Sequence, residues 1–264
     1  MVALQTLNAT NRDLFKTQNA ISTGLKVANA KDNGAVWAIA TKMRSDVSAY
    51  DRVIESNDTA SSRGDVAISA GESIMELLNE MKGKALAASQ TGLSASAQAA
   101  FNADFVQLRD QVTSIVANAS FDGSSMVNGT PVSAVSLGDA VGGNTITVAG
   151  TNLSLGGGTV TVTAASVVSS AAAATTALGL VNSSIDALGT QLATWGAGSK
   201  RLDMHKRFVS KLQDALTAGV GAMTDADLSK ESAKLQSLQV KQQLGIQALS
   251  IANGAAQSAL ALFR

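Results

Sequence analysis

The sequence predicts a mainly α protein: a long antiparallel helical rod built from both chain ends, with a small β-rich insertion between them. Three observations carry this. Apolar residues recur at heptad spacing before residue 120 and again after residue 171. The 264 residues include a single proline, Pro131, and that is the residue that most strongly interrupts helices. The segment 121–170 changes grammar and is rich in Gly, Ser, Thr and Val.

The first arm shows its period most clearly at Phe101, Phe105, Leu108, Val112 and Ile115, which step by four, three, four and three. Ile68, Ile74, Leu77, Leu78 and Met81 form a looser stripe upstream. Such a seam belongs to a helix packed on other helices. Gln90-Thr91-Gly92-Leu93-Ser94 reads as a turn, with Ser94 as N-cap of the next helix. In the second arm Ile185, Leu188, Leu192 and Trp195 repeat the pattern, and Leu202, Phe208, Leu212, Leu216, Val220 and Met223 continue it. Gly196-Ala197-Gly198 is expected to loosen that helix. Thr224 and Asp227 stand at capping-box spacing before a final helix lined by Leu228, Leu235, Leu238, Leu249 and Leu260. In the middle, Asn144-Thr145-Ile146-Thr147-Val148 and Val160-Thr161-Val162-Thr163 alternate as strands do, and Gly142-Gly143 and Gly156-Gly157-Gly158 bracket them. They predict a small hairpin.

Composition narrows function. Lys plus Arg equals Asp plus Glu at 20 each, so no basic excess marks a nucleic-acid binder. Aromatics are 3%, too few for a thick core of large rings. No apolar stretch is long enough to predict a membrane span. There is no cysteine, which fits a cytosolic chain or one exported unfolded. Met1-Val-Ala-Leu-Gln-Thr turns polar too soon for a signal peptide. Arms of about 50 to 90 residues would run roughly 75–135 Å if straight. A rod of that shape cannot bury all its apolar positions alone, so it implies lateral partners.

Two segments in the right order resemble the two ends of bacterial flagellins. Ile21-Ser22-Thr23-Gly24-Leu25-Lys26-Val27 and the following Ala30-Lys31-Asp32 are similar to the family's Leu-Ser-Thr-Gly-Leu-Arg-Ile and Ala-Lys-Asp. Phe121-Asp122-Gly123 looks like its Phe-Asn-Gly turn. At the other end Asp225-Ala226-Asp227, Glu231, Gln239, Gln243, Ala252-Asn253 and Leu262-Phe263-Arg264 sit where the family places its Asp-rich connector, Gln-spaced helix and terminal Leu-Leu-Arg. Trp37 and the segment 229–239 look most like alphaproteobacterial members. Met1-Val-Ala-Leu-Gln falls inside the segment where members begin, and the match resumes from Leu4, which implies a shortened start.

The resemblance implies a structural subunit of the flagellar filament, secreted to the extracellular flagellum, that polymerises with itself. It implies inner terminal helices over 1–31 and 229–264, disordered in the monomer and a coiled pair in the filament. It places a helical rod over 32–120 and 176–228, and a variable exposed insertion over 121–175. Phe101, Phe105, Leu108, Val112, Leu192 and Phe208 are expected in the rod core. Leu235, Leu238, Leu249 and Leu262 are expected to pack along the inner tube. An export chaperone, cap and hook-junction proteins are the other partners the family implies. A hook-junction protein and a cell-surface glycan-binding homologue remain open as alternatives.

Nothing predicts an enzyme, a cofactor or a metal site. His205 is the only histidine, and Asp203, two residues away, does not share its helical face, so both read as solvated. After Asp225-Ala226-Asp227, Ser229, Lys230 and Gln236 replace the residues a calcium loop needs. The glycine clusters lack the Lys-Ser/Thr of a phosphate loop and read as turns. Lys82-Gly83-Lys84, Lys200-Arg201 and Lys206-Arg207 read as solvated helix positions. Asn-x-Ser/Thr triplets at Asn118, Asn128, Asn152 and Asn182 arise readily by chance, and the resemblance implies O-linked sugars instead.

Over Leu78–Leu86, Glu80 stands where many flagellins carry an arginine read by a vertebrate Toll-like receptor, and Lys84 stands in place of a leucine. A reversed charge turns attraction into repulsion at an interface. Reporter cells are expected to respond weakly or not at all, and a response equal to that of an enterobacterial flagellin would refute this.

Overall fold

The structure, a computed structural model, describes residues 2–261. In chain order the elements are α1 (Val2–Thr23), α2 (Gly34–Ala88), α3 (Ala95–Asn118), β1 (Ala134–Leu137), β2 (Thr145–Val148), α4 (Ala171–Thr224) and α5 (Leu228–Ala261). They form two compact units, Met1–Ser48 with Gln213–Arg264, and Ala49–Leu212. Helices α2 and α4 each contribute to both.

The larger unit is built on two seven-residue repeats. On α2, Ala60, Ala67, Ile74, Met81 and Ala88 are buried; on α4, Val181, Leu188, Trp195, Leu202 and Val209 are buried. Strict heptads keep one seam facing inward along two wound helices. Small residues on α2 admit large ones from α4. A Cβ on Gly71 would stand 2.8 Å from Leu192 Cδ2 and 3.5 Å from the Trp195 ring. Asn57, 2% exposed, donates its Nδ2 to the Leu202 carbonyl at 2.8 Å and ties the two repeats in register.

Helix α3 begins where the turn signal predicts. Ser94 has extended backbone and accepts from the Ala97 amide at 3.2 Å. Phe105 and Val112 are fully buried, and Phe101, Leu108 and Ile115 pack against the same core. Polar side chains of α3 hold the return segment before α4. Asn102 Oδ1 accepts from the Val168 amide at 2.9 Å, and Arg109 donates to the carbonyls of Ala164 and Ser166. Lys84 reaches from α2 to Asp104 at 2.6 Å.

The insertion contains one antiparallel hairpin, with Ala134 opposite Val148 and Leu137 opposite Thr145. The predicted strand 144–148 is present, but its partner is 134–137. Val160–Thr163 is no strand. Its backbone bonds go elsewhere: Gly156 N–H donates to the Val160 and Val162 carbonyls, and the Thr161 amide donates to Ser184 Oγ of α4 at 2.9 Å. Val160 and Val162 are fully buried. Alternation here reflects one side facing the core, and no ladder.

Helix α4 runs unbroken through Gly196-Ala197-Gly198, contrary to the expected loosening. A Cβ on Gly198 would sit 2.8 Å from Val148 Cγ2, so glycine there permits the hairpin's close approach. Trp195 Nε1 donates to the Ala149 carbonyl at 2.8 Å, and Arg201 Nη2 to the Thr147 carbonyl at 3.1 Å. Phe208 departs from the expected core position: it is 60% exposed. The buried repeat passes through Val209, seven residues after Leu202, and leaves Phe208 off the seam.

Two of the positions expected to be solvated are engaged. Lys206 pairs with Asp58 of α2 at 2.5 Å. His205 is half-buried, and its Nε2 lies 3.0 Å from the Gly138 carbonyl. A carbonyl only accepts, so Nε2 carries the hydrogen. Nδ1 is then a buried acceptor with no hydrogen-bond partner. Desolvation, and then the Arg201 guanidinium, hold His205 below its ordinary 6.5. Below that value the unfolded chain therefore takes up a proton that the folded chain resists. The stabilisation is present above 6.5 and fades as pH falls through the folded pKa. Thermal unfolding of the larger unit is expected at lower temperature at pH 5 than at pH 8, and His205→Gln should flatten that difference.

Candidate assembly interface

The smaller unit positions the chain's terminal helices. Gly24, with φ +72°, ends α1 in the left-handed region that glycine adopts without cost. The connectors then bond to each other. The amides of Lys26 and Val27 donate to the Thr224 carbonyl at 2.8 and 3.3 Å, and the Ala226 amide donates to the Gly24 carbonyl at 2.8 Å. Thr224 is fully buried, and its hydroxyl donates to the Val220 carbonyl at 2.8 Å. It therefore closes α4 instead of capping α5. The α5 cap is Asp227, whose Oδ1 accepts from the amides of Ser229 and Lys230 at 3.0 and 3.1 Å. Asn33 Oδ1 accepts from the Val36 amide at the start of α2, and Asp32 Oδ2 accepts from the amides of Ala28 and Asn29.

From this clamp α1 and α5 run antiparallel and pack together. Asn11 Oδ1 accepts from Gln242 Nε2 at 2.8 Å, and a Cβ on Gly245 would lie 3.2 Å from Leu7 Cδ1. The inward side of α1 is Leu7, Thr10, Leu14, Thr17 and Ile21, stepping three, four, three and four. Thr10 is 9% exposed and Thr17 fully buried. This seam is easily missed, because two of its five members are threonines.

Helix α5 is apolar on two opposite sides. Leu235 and Leu249 are half-buried and Leu238 is 7% exposed; these three share one face. Val240, Leu244 and Ile251 share the other, and they are 55%, 58% and 73% exposed. Exposed glutamines, Gln236, Gln243 and Gln247, line one flank between the stripes. On α1, Leu4 and Phe15 are likewise exposed, eleven residues apart and on one side. A helix apolar on two opposite sides buries both only when it has a neighbour on each. Full burial of each Val, Leu or Ile side chain is worth about 1.5–3 kcal/mol. Leu262 lies outside the described residues. The Leu235/Leu238/Leu249 stripe is legible as leucines in the sequence; the one opposite alternates with polar residues and stands out when positions four and seven apart are compared.

Among the described residues no group of three or more His, Cys, Asp or Glu comes together as a metal site, and no helix is long and apolar enough to cross a membrane.

Comparison with known proteins gives concordant matches at both ends. The model for the bacterial flagellin N-terminal helical region matches residues 1–131, and that for the bacterial flagellin C-terminal helical region matches residues 178–263. Flagellin FljN of Caulobacter vibrioides is 47% identical over 265 residues, covering 100% of this chain and 96% of the relative. A flagellin of Brucella melitensis is 39% identical over 273 residues, covering 100% and 96%. Flagellin C of Rhizobium meliloti is 32% identical over 313 residues, covering 100% and 97%. Among solved structures, the crystal structure of Bacillus cereus flagellin superposes with a TM-score of 0.51 at 23% identity, covering 57% of this chain and 86% of that one, which speaks to the fold.

If the outward stripe of α5 is covered by neighbouring copies, Val240→Asp and Leu244→Asp should each raise the concentration needed for polymerisation at least about tenfold, the equivalent of about 1.4 kcal/mol. Sedimentation after seeding measures this. The unfolding of the larger unit, which contains neither residue, should be unchanged.

Proposed function

The chain belongs to the bacterial flagellin family and is a structural subunit of the flagellar filament, and we propose that its terminal helices drive assembly by folding against identical neighbours. The observation that carries this reading is the second apolar stripe of α5, left uncovered by α1. Ordering a residue costs roughly 1–2 kcal/mol of backbone entropy, so a helix buried on one side gains little alone and much more when surrounded. On this reading 1–31 and 229–264 form the inner coiled pair, with Leu235, Leu238, Leu249 and Leu262 packed along the tube. Residues 32–120 and 176–228 form the rod; the insertion 121–175, expected to be exposed throughout, instead buries Val127, Leu153, Val160 and Val162 in the rod's core and turns the tip of its hairpin to solvent.

The match of the whole chain to proteins named flagellin favours a filament subunit over a hook-junction protein or a glycan-binding homologue. Contacts between copies repeat head to tail without closing, which yields a tube and no ring. An extracellular location, export as an unfolded chain, and dealings with an export chaperone, a cap and hook-junction proteins complete the proposal. The absence of cysteine suits passage through a narrow conduit, because no disulfide can cross-link the chain on the way.

Hydrogen exchange on the monomer and on seeded filaments tests the mechanism. Amides of residues 2–23 and 228–261 should exchange rapidly in dilute monomer and become protected in filaments, while the larger unit is protected in both. Terminal helices fully protected in dilute monomer would overturn coupled folding. Failure of the native chain to elongate filament seeds under electron microscopy would count against the filament role itself.

A further inference from the structure

Two surfaces of the larger unit have no part in the scheme above. The first is an open groove of about 510 Å³ between α2 and α3, with Val66, Ala70, Ile115 and Ala119 among its lining and Asp65 and Gln111 at its edge. The length of α2 beside it is acidic: Asp65, Glu72, Glu76 and Glu80 are all exposed, and no Lys or Arg occurs between Arg63 and Lys82. The second is a ridge on α4. Met204 and Phe208, one turn apart, are 63% and 60% exposed. Exposed Lys200, Arg207 and Lys211 share that side of the helix, and Asp203 is the sole acid from 200 to 211.

The two surfaces face away from each other. Gly71 is the point where α2 meets Leu192 and Trp195 of α4, so Ser69 and Ser73, roughly half a turn round from it, border the groove on the far side of α2. Leu202 and Val209 face the core, which turns Met204 and Phe208 outward. One chain cannot fold its own ridge into its own groove, but the ridge of a second copy can reach it. Such a contact is heterologous and open-ended. The charges match across it, cationic around the ridge and anionic beside the groove, which favours this pairing over ridge on ridge.

We propose that the Met204–Phe208 ridge of one subunit seats in the Val66–Ile115 groove of the next, with the basic side chains of α4 lying over the acidic margin of α2. This deepens the filament reading by naming a surface that joins neighbouring rods. The native chain has no cysteine, so it can be tested by cross-linking. Ser69→Cys with Met204→Cys in one chain should give a ladder of covalent multimers on oxidation, and either substitution alone should give no ladder. As a second readout, Asp65→Lys and Arg207→Glu should each raise the critical concentration about tenfold, and their combination should bring it back to within about threefold of native. Both positions are exposed, so unfolding of the variants should match the native chain.

Growing filaments that yield no ladder would overturn the contact and leave the filament role intact. A ladder formed without filaments would support the contact and speak against the filament role. Charge reversals without effect, or effects that add when combined, would also overturn the pairing.

Discussion

A helix that is apolar on opposite faces cannot be satisfied by one antiparallel partner. Helix α5 meets α1 through Leu235, Leu238 and Leu249 and turns Val240, Leu244 and Ile251 to solvent. Water tolerates a few such side chains in isolation, but a regular stripe of them marks a surface meant to be covered. That unmet demand ties the chemistry of the ends to polymerisation. It also gives the clamp at Gly24–Val27 and Thr224–Ala226 its importance, since this is where both terminal helices start.

The larger unit answers the opposite problem. With aromatics at 3%, it cannot fill space with rings, so it brings helices close and fills the seam with Ala, Gly, Val and Leu. The seven-residue repeats of α2 and α4 interleave small with large, as Gly71 does beneath Trp195. A Cβ would be intolerable at such contacts without movement, and overpacking typically costs about 1–3 kcal/mol. Trp195, the large ring of the α4 repeat, also supplies a hydrogen bond to the Ala149 carbonyl after the hairpin, so a single residue joins core packing to insertion placement.

Much of this was legible in the residues. Long proline-free helical patterns predicted the α class, Ser94 predicted its own cap, and the Phe101–Ile115 spacing identified the α3 face that packs inward. What was hidden has physical reasons. The seam of α1 uses Thr10 and Thr17 where apolar residues are expected, and Thr10 turns its hydroxyl back onto the Thr6 carbonyl of its own helix. Phe208 continues the apolar spacing of Leu212 and Leu216 and so reads as a core residue, yet one position decides which side of a helix a residue takes, and Val209 holds the seam. Val160–Thr163 alternates like a strand while its amides and carbonyls find loop and helix partners. His205 read as a solvated lone histidine because its partner, the Gly138 carbonyl, is a backbone group 67 residues away and leaves no mark in composition.

The hairpin tip is a closed circuit. Asp139 accepts from the amides of Val141, Gly143 and Asn144 and from the Asn144 side chain. Desolvation pushes its carboxyl upward, but the amides of Gly143, Gly142 and Val141 and the Asn144 side chain outweigh it and hold the acid below its ordinary 3.8. Val141 at the apex is 93% exposed. The tip from Asp139 to Asn144 satisfies that carboxylate internally, and the loop leans on the helix beneath at Gly138, whose carbonyl His205 holds, so foreign peptide grafted beside Val141 would be carried outward with that tie left in place.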